Sequence, residues 1–299
     1  MMFRSFAGIE ETIRGKQEKK RLVLASAHDR EALTAVLMAA DRETVAPILL
    51  GDGARIRAIL RDMGRAEDRW PVIETEDEAA SARMAMEMVA AGEADVPMKG
   101  LMQTATFMKA LLNKEFGFVP EGALINQATV LEWPEQDRMM VVGDCAINIA
   151  PDLEGKAKIL RNMIALSRCL GIEKPKAAVI SALEVVKDKI PSTVDAAALS
   201  AMDWGGCQVY GPLALDNAVS REAARHKGID HPVAGQADIL LMPDLCAGNV
   251  FTKSLTFFAH LKSAGAVCGT KIPVVMTSRT DTPENKFFSI LVAILQTEV

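Results

Sequence analysis

From residue 22 onward the chain alternates short apolar runs with longer amphipathic stretches, and that alternation admits few folds. The runs at 22–25, 46–50, 71–73, 94–98, 139–142, 176–181, 208–210, 237–242 and 272–276 are strand-like in length and composition. A strand covered on both faces reads as a near-continuous apolar run, as the strands of a parallel sheet do. Between them, residues 29–40, 54–63, 76–91, 153–170 and 251–263 carry helical spacing of apolar side chains. Strand and helix in turn define an α/β fold with mainly parallel sheets and flanking helices. Local signals agree. Thr75 reads as the N-cap of the 76–91 helix, with Glu76, Asp77 and Glu78 complementing its dipole and Gly92 ending it. Gly171 ends the helix at 153–170, and Ser192 or Thr193 caps another running to Met202. Residues 117–134, with several Gly, Pro and polar positions, read as strand and loop.

With 299 residues the chain has room for two domains without disulfides. Hydrophobic residues make up 49% and charged residues 24%, yet no apolar run is long enough to span a bilayer. The first twenty residues mix Glu10, Glu11 and Glu18 with Arg14, Lys16, Lys19 and Lys20, lack the apolar centre of a secretory signal, and read as a surface helix of a cytoplasmic protein. A net charge of −5 argues against a nucleic-acid footprint. Five widely spaced cysteines and four histidines show no metal-ligand spacing, so the expectation is reduced thiols and no metal.

The chemistry concentrates in loops that leave strands. Between Gln236 and Asn285 two strand-loop-helix units follow one another, and such loops are where open α/β sheets bind ligands. In the second, Ser278 supplies a hydroxyl and Arg279 a planar donor fork, just before a helix with Thr282 as N-cap and Pro283 as its first residue. The plainer alternative is that Arg279 pairs with Asp281 and Ser278 makes a turn. In the first unit, Gly248 and Asn249 precede the 251–263 helix, with Asp244 upstream and Lys253 one turn in; capping alone would account for Asn249. Asp216 and Asn217 form a comparable polar pair after Gly211-Pro212. Lys99 and Gly100, followed by Gln103, Thr104 and Thr106 at a helix start, offer a cation, close backbone approach and hydroxyls to an anion. No Gly-x-x-x-x-Gly-Lys-Ser/Thr, Gly-x-Gly-x-x-Gly or Gly-x-Ser-x-Gly motif occurs. Met84, Met86 and Met88 read as core filling, and His226 and His231 as exposed.

Several segments, in order, closely resemble the phosphate acetyl/butyryltransferase family, the butyryl branch more than the acetyl. They are Ala94-Asp-Val-Pro-Met-Lys-Gly-Leu-Met-Gln-Thr104, Ile147-Asn-Ile-Ala-Pro-Asp-Leu153, Val194-Asp-Ala-Ala-Ala-Leu-Ser200, Gly211-Pro-Leu-Ala-Leu-Asp-Asn-Ala-Val-Ser220, Val233-Ala-Gly-Gln-Ala-Asp-Ile-Leu-Leu-Met-Pro-Asp244, Ala247-Gly-Asn-Val250 and Thr277-Ser-Arg-Thr-Asp281. The resemblance implies two α/β domains of the isocitrate/isopropylmalate dehydrogenase-like type with an interdomain cleft. The first would comprise residues 1–140 plus 272–299, and the second residues 141–271. It implies reversible transfer of a short acyl group, butyryl or acetyl, between coenzyme A and inorganic phosphate. Acyl-CoA, phosphate and acyl phosphate would be the substrates and products of a homodimer without a tightly bound cofactor. On this resemblance Ser278 and Arg279 hold the phosphoryl group, with Glu284 and Asp281 as the nearby carboxylates that would stand in as catalytic base. Lys99, Gly100, Thr104, Asn217, Asn249 and Lys253 bind substrate. In the acetyl branch an aspartate six residues past the Ser-Arg arginine is the candidate base; here that position is Asn285, which cannot act as one.

Two other readings share this pattern. A nicotinamide-dependent decarboxylating dehydrogenase would require a metal-binding aspartate cluster and a cofactor loop, and the sequence shows neither. A non-catalytic acyl-CoA- or phosphate-binding regulatory domain would keep the loops and lose turnover.

Overall fold

The computed structural model describes residues 2–297, which fall into two compact units. One comprises Phe6–Ala123 with Ala264–Val299, and the other Met1–Ser5 with Leu124–Ser263. The first begins with α1 (Phe6–Arg14), β1 (Lys20–Ala25), α2 (Arg30–Asp41), β2 (Val45–Gly51), α3 (Gly53–Asp62), β3 (Val72–Glu74), α4 (Glu78–Ala90), β4 (Val96–Lys99) and α5 (Thr104–Leu111). Its strands lie side by side in the order β3-β2-β1-β4, all parallel. Leu22, Val23 and Leu24 on the central strand are wholly buried, as their uninterrupted apolar pattern requires. Successive connections move outward from β1 to β2 and β3, whereas β4 falls on the other flank of β1. The sheet therefore has its switch point between β1 and β4, where the loops at the carboxyl ends diverge and leave a crevice.

Aspartates start three helices of this unit. Asp29, Asp52 and Asp77 have extended backbones, and their carboxylates accept amides of the first turns of α2, α3 and α4. The cap of α4 is thus Asp77 and not Thr75, because only Asp77 reaches the Ala80 N–H, at 2.7 Å. The opening helix is more than a surface element: Phe6, Ile9 and Ile13 share one buried face, and Phe6 stacks on Phe288 at 4.3 Å.

The second unit opens with β5 (Asn126–Trp133) and β6 (Arg138–Gly143), an antiparallel hairpin. It continues through α6 (Leu153–Cys169), β7 (Lys176–Ile180), α7 (Pro191–Ser200), β8 (Gln208–Leu213), α8 (Leu215–Val219), α9 (Arg221–His226), β9 (Ile239–Leu241) and α10 (Leu245–Phe257). Strands β6, β9, β7 and β8 run parallel in that order, over a core that includes Val142, Ala178, Leu213 and Leu240. Helix α7 starts at Pro191, whose fixed φ suits the first helical position, so Ser192 and Thr193 lie inside the first turn and do not cap it.

β10 (Ser263–Cys268) leads the chain back to the first unit, where α11 (Pro283–Gln296) completes it. Two sequence expectations change here. The helix expected at 251–263 is displaced toward the amino terminus, because Asp244 caps it through the Ala247 N–H at 2.9 Å. Residues 263–268 then form a strand of small side chains that carries little β signal. The strand expected at 272–276 reduces to a single parallel bridge between Met98 and Val275. Pro273, with no N–H to donate, is unsuited to a longer ladder. The family of architectures is a mixed α/β fold with largely parallel sheets and flanking helices.

Candidate active site

At the switch point of the first unit, β1 ends at Ala25 and β4 at Lys99. Gly100 then passes so close to β1 that an added Cβ would sit 2.4 Å from the Ser26 carbonyl oxygen and 2.5 Å from that of Ala25. Only glycine allows this approach, and it is fixed by hydrogen bonds from the Gly100 N–H to Ala25 O (2.8 Å) and from the Leu101 N–H to Ser26 O (3.0 Å). On the other flank, the Lys99 N–H donates to Val275 O and the Val275 N–H to Pro97 O, which brings residues 277–279 beside the end of β4. Between them lies a cavity of about 400 Å³ lined by Lys99, Met102, Gln103, Thr104, Thr277, Ser278 and Arg279.

Its chemistry is cationic and hydroxylic. Lys99 is 5% exposed, and its Nζ donates to Gly100 O and Met102 O at 3.3 Å each. Burial, followed by the nearby positive charges of Arg279 and Lys286, pushes its pKa down from the usual lysine range, while Asp29 and Glu78 oppose the shift. Gln103 starts α5 without a side-chain cap, so first-turn amides of that helix remain available at the cavity wall that Thr104 lines. Ser278, Arg279 and Thr104 are exposed.

The loop after Thr277 is held from within. Asp281 accepts the Ser278 N–H at 2.8 Å, and Ser278 Oγ lies 3.0 Å from Thr280 Oγ1. Thr282 caps α11 through the Asn285 N–H at 3.1 Å, with Pro283 as the first helical residue. The Asp281 carboxylate thus serves the loop backbone, and among the described residues Arg279 forms no ion pair with it. Glu284 is exposed in the first turn of α11, while Asn285 is buried in the same turn. The structure adds a residue that the loop motif did not single out. Lys286 is 2% exposed, and its Nζ reaches Ser278 O at 2.6 Å and Asp281 O at 2.9 Å. A signal was present: residues 287–295 are all apolar or small, so a helix beginning there had to bury its neighbour.

The remaining expected residues belong to the other unit. Asn249 lies in the second turn of α10 and is no cap; its Nδ2 donates to Cys145 O at 3.1 Å. Lys253 is exposed further along that helix. Asn217 lies in α8, wholly buried, and neither end of its side-chain amide has a hydrogen-bond partner. Sequence reading passed over Asp144, which follows β6. Its buried carboxylate accepts the amides of Ala146 (2.9 Å), Ile147 (3.2 Å) and Asn148 (2.9 Å). Next to it the Cys145 thiol is pushed up to about 12, chiefly by burial, so it stays protonated and is no nucleophile near neutral pH. Among the described residues no group of three or more His, Cys, Asp or Glu side chains is placed to hold a metal ion. No helix among them is long and apolar enough to cross a membrane.

The lowered pKa of Lys99 has a consequence for stability. Between that folded value and the unfolded value of about 10.4, the unfolded chain binds more protons at this site, so stability from this group rises with pH. Wild type should therefore gain stability relative to Lys99→Met as pH increases through this window. Paired denaturant titrations across the range measure it; a constant difference would contradict the assignment.

A largely parallel α/β sheet with a cavity at its switch point lined by Lys99, Arg279 and hydroxyl side chains defines the class: a mixed α/β protein with a basic, hydroxyl-bearing loop site. The chain belongs to the phosphate acetyl/butaryl transferase family, whose model matches residues 71–294. It is 42% identical over 298 residues to the phosphate butyryltransferase of Clostridium acetobutylicum, covering 98% of each chain. Its identity to the phosphate acetyltransferase of Thermotoga maritima is 40% over 284 residues, covering 94% of this chain and 95% of that one. Among solved structures, a branched-chain phosphotransacylase from Enterococcus faecalis V583 superposes with a TM-score of 0.83 at 34% identity, covering 93% of this chain and 99% of the other.

Proposed function

We propose that the chain is an enzyme, a phosphate acyltransferase that moves a short acyl group reversibly between coenzyme A and inorganic phosphate. The observation that carries the site assignment is the crevice where Lys99, Ser278, Arg279 and Thr104 line one cavity; family membership and the names of the relatives support the reaction. In this reading Arg279, Ser278 and Lys99 hold phosphate, and the hydroxyl of Thr104 adds a donor at the start of α5. Gly100 brings the backbone close. A phosphate oxygen attacks the thioester carbonyl, and the tetrahedral oxyanion collapses by breaking the C–S bond. Acyl phosphate forms, and the departing thiolate takes up a proton to become free CoA. Such a reaction is driven by positioning and charge stabilisation and needs no covalent enzyme intermediate.

No side-chain base is required in the acyl-phosphate direction, because phosphate near neutral pH is already a competent nucleophile. Asn285 cannot take a proton, Asp281 shapes the loop, and Glu284 stands exposed at the helix start. Asn249 and Lys253 are assigned to acyl-CoA recognition. We further take the fold to be of the isocitrate/isopropylmalate dehydrogenase-like type, and the working form to be a cytoplasmic homodimer with CoA and phosphate as substrates and no resident cofactor. The test is CoA release from acetyl-, propionyl- and butyryl-CoA, with and without phosphate, read by thiol colour and acyl-hydroxamate formation. Phosphate-dependent release with at least one of them is expected; none with any would sink the reading in favour of a binding domain without turnover.

A further inference from the structure

Lys286 is placed against ordinary preference twice over. It is a cation in the first turn of α11, at the positive end of the helix dipole, and its ammonium is buried in a helix whose residues from Asn285 to Leu295 are all buried. Burial lowers its pKa, with Asp281, Asp29 and Glu31 opposing. Its Nζ donates to the carbonyls of Ser278 and Asp281, the two ends of the loop that bears Arg279. The Ser278–Arg279 peptide is trans, so turning the Ser278 carbonyl inward to Lys286 turns the Arg279 N–H the opposite way. Among the described residues that N–H has no acceptor. The Ser278 carbonyl also receives the Asp281 N–H at 3.2 Å, so ammonium and amide together fix its direction.

We propose that Lys286 is the positioning residue of the anion site: it holds the Ser278 and Asp281 carbonyls inward so that the Arg279 amide and the Ser278 and Arg279 side chains face phosphate together. The inference rests on the phosphate reading of this cavity. Lys286→Met keeps the length of the side chain and removes the donor and the charge; Lys286→Gln keeps packing and one donor group. With Lys286→Met the phosphate KM should rise by about tenfold or more, as expected for lost charge-assisted bonds, while the acyl-CoA KM stays within about twofold. Lys286→Gln should fall between. Because the Asp281 carbonyl loses its ammonium donor, the ligand-free melting temperature should fall, and the upward shift produced by added phosphate should shrink as well. A purely structural lysine would lower that temperature and leave the phosphate KM alone. If Lys286→Met does not fold, Lys286→Gln decides. A phosphate KM within about twofold of wild type in the deciding variant overturns the proposal. Arg279→Ala, run alongside, separates the failures. If it too leaves the phosphate KM unchanged, the phosphate reading falls; if it raises that KM while the Lys286 variants do not, only the role of Lys286 falls.

Discussion

Arg279→Ala should lower phosphate-dependent CoA release by about 10²- to 10³-fold, the usual scale for removing one preorganised donor from an oxyanion or phosphoryl site. The loss should appear as a raised phosphate KM together with a lowered kcat, because in the proposed reaction the guanidinium contacts phosphate before transfer and the charge that develops during it. The fold should not notice. Arg279 is exposed and makes no ion pair among the described residues, so its removal should change stability by no more than about 0.5 kcal/mol. Steady-state kinetics at varied phosphate and acyl-CoA, set beside a melting curve, measure both halves. An active variant with wild-type phosphate dependence would remove Arg279 from the chemistry.

The contrast between Arg279 and Lys286 shows what the sequence reveals and what only folding adds. Ser278-Arg279 stood out because a strand-like run precedes it and Thr282-Pro283 follows it, and both signals are local. Lys99-Gly100 stood out in the same way. That the two loops share one cavity depends on the single bridge between Met98 and Val275, a pairing across more than 170 residues that no local pattern encodes. Strand-helix alternation made the parallel sheets legible. Strand β10 was not legible, because Ser263-Ala-Gly-Ala-Val-Cys268 is too small and mixed to announce a strand, and the true cap of α10 at Asp244 competed with the more conspicuous Gly248-Asn249. Asp144 was invisible for a related reason: an aspartate after a strand usually marks a turn, and only the folded loop shows it gathering the amides of residues 146 to 148.

Gly248 turns that last point into a large stability effect expected of a single methyl group. Helix α10 crosses the Asp144 loop so closely that a Cβ on Gly248 would lie 2.1 Å from the Asp144 carbonyl oxygen and 3.1 Å from its carbon. No flexible side chain stands there to yield; the obstacle is backbone, itself anchored by the Asp144 carboxylate and by the bond from Asn249 Nδ2 to Cys145 O. Gly248→Ala must therefore move α10 away from the loop and break that bond. Overpacking of this kind costs about 3 kcal/mol or more, well above the gain of up to about 1 kcal/mol that alanine normally brings to a helix interior. For a protein of this size the melting temperature should drop by roughly 6 to 12 °C. Gly92→Ala is the matched comparison: its φ is 70° but an added Cβ meets nothing within 4 Å, so the loss should stay near 1 kcal/mol. Equal melting temperatures for the two variants would mean that the approach of α10 to Asp144 is not the constraint that makes residue 248 a glycine.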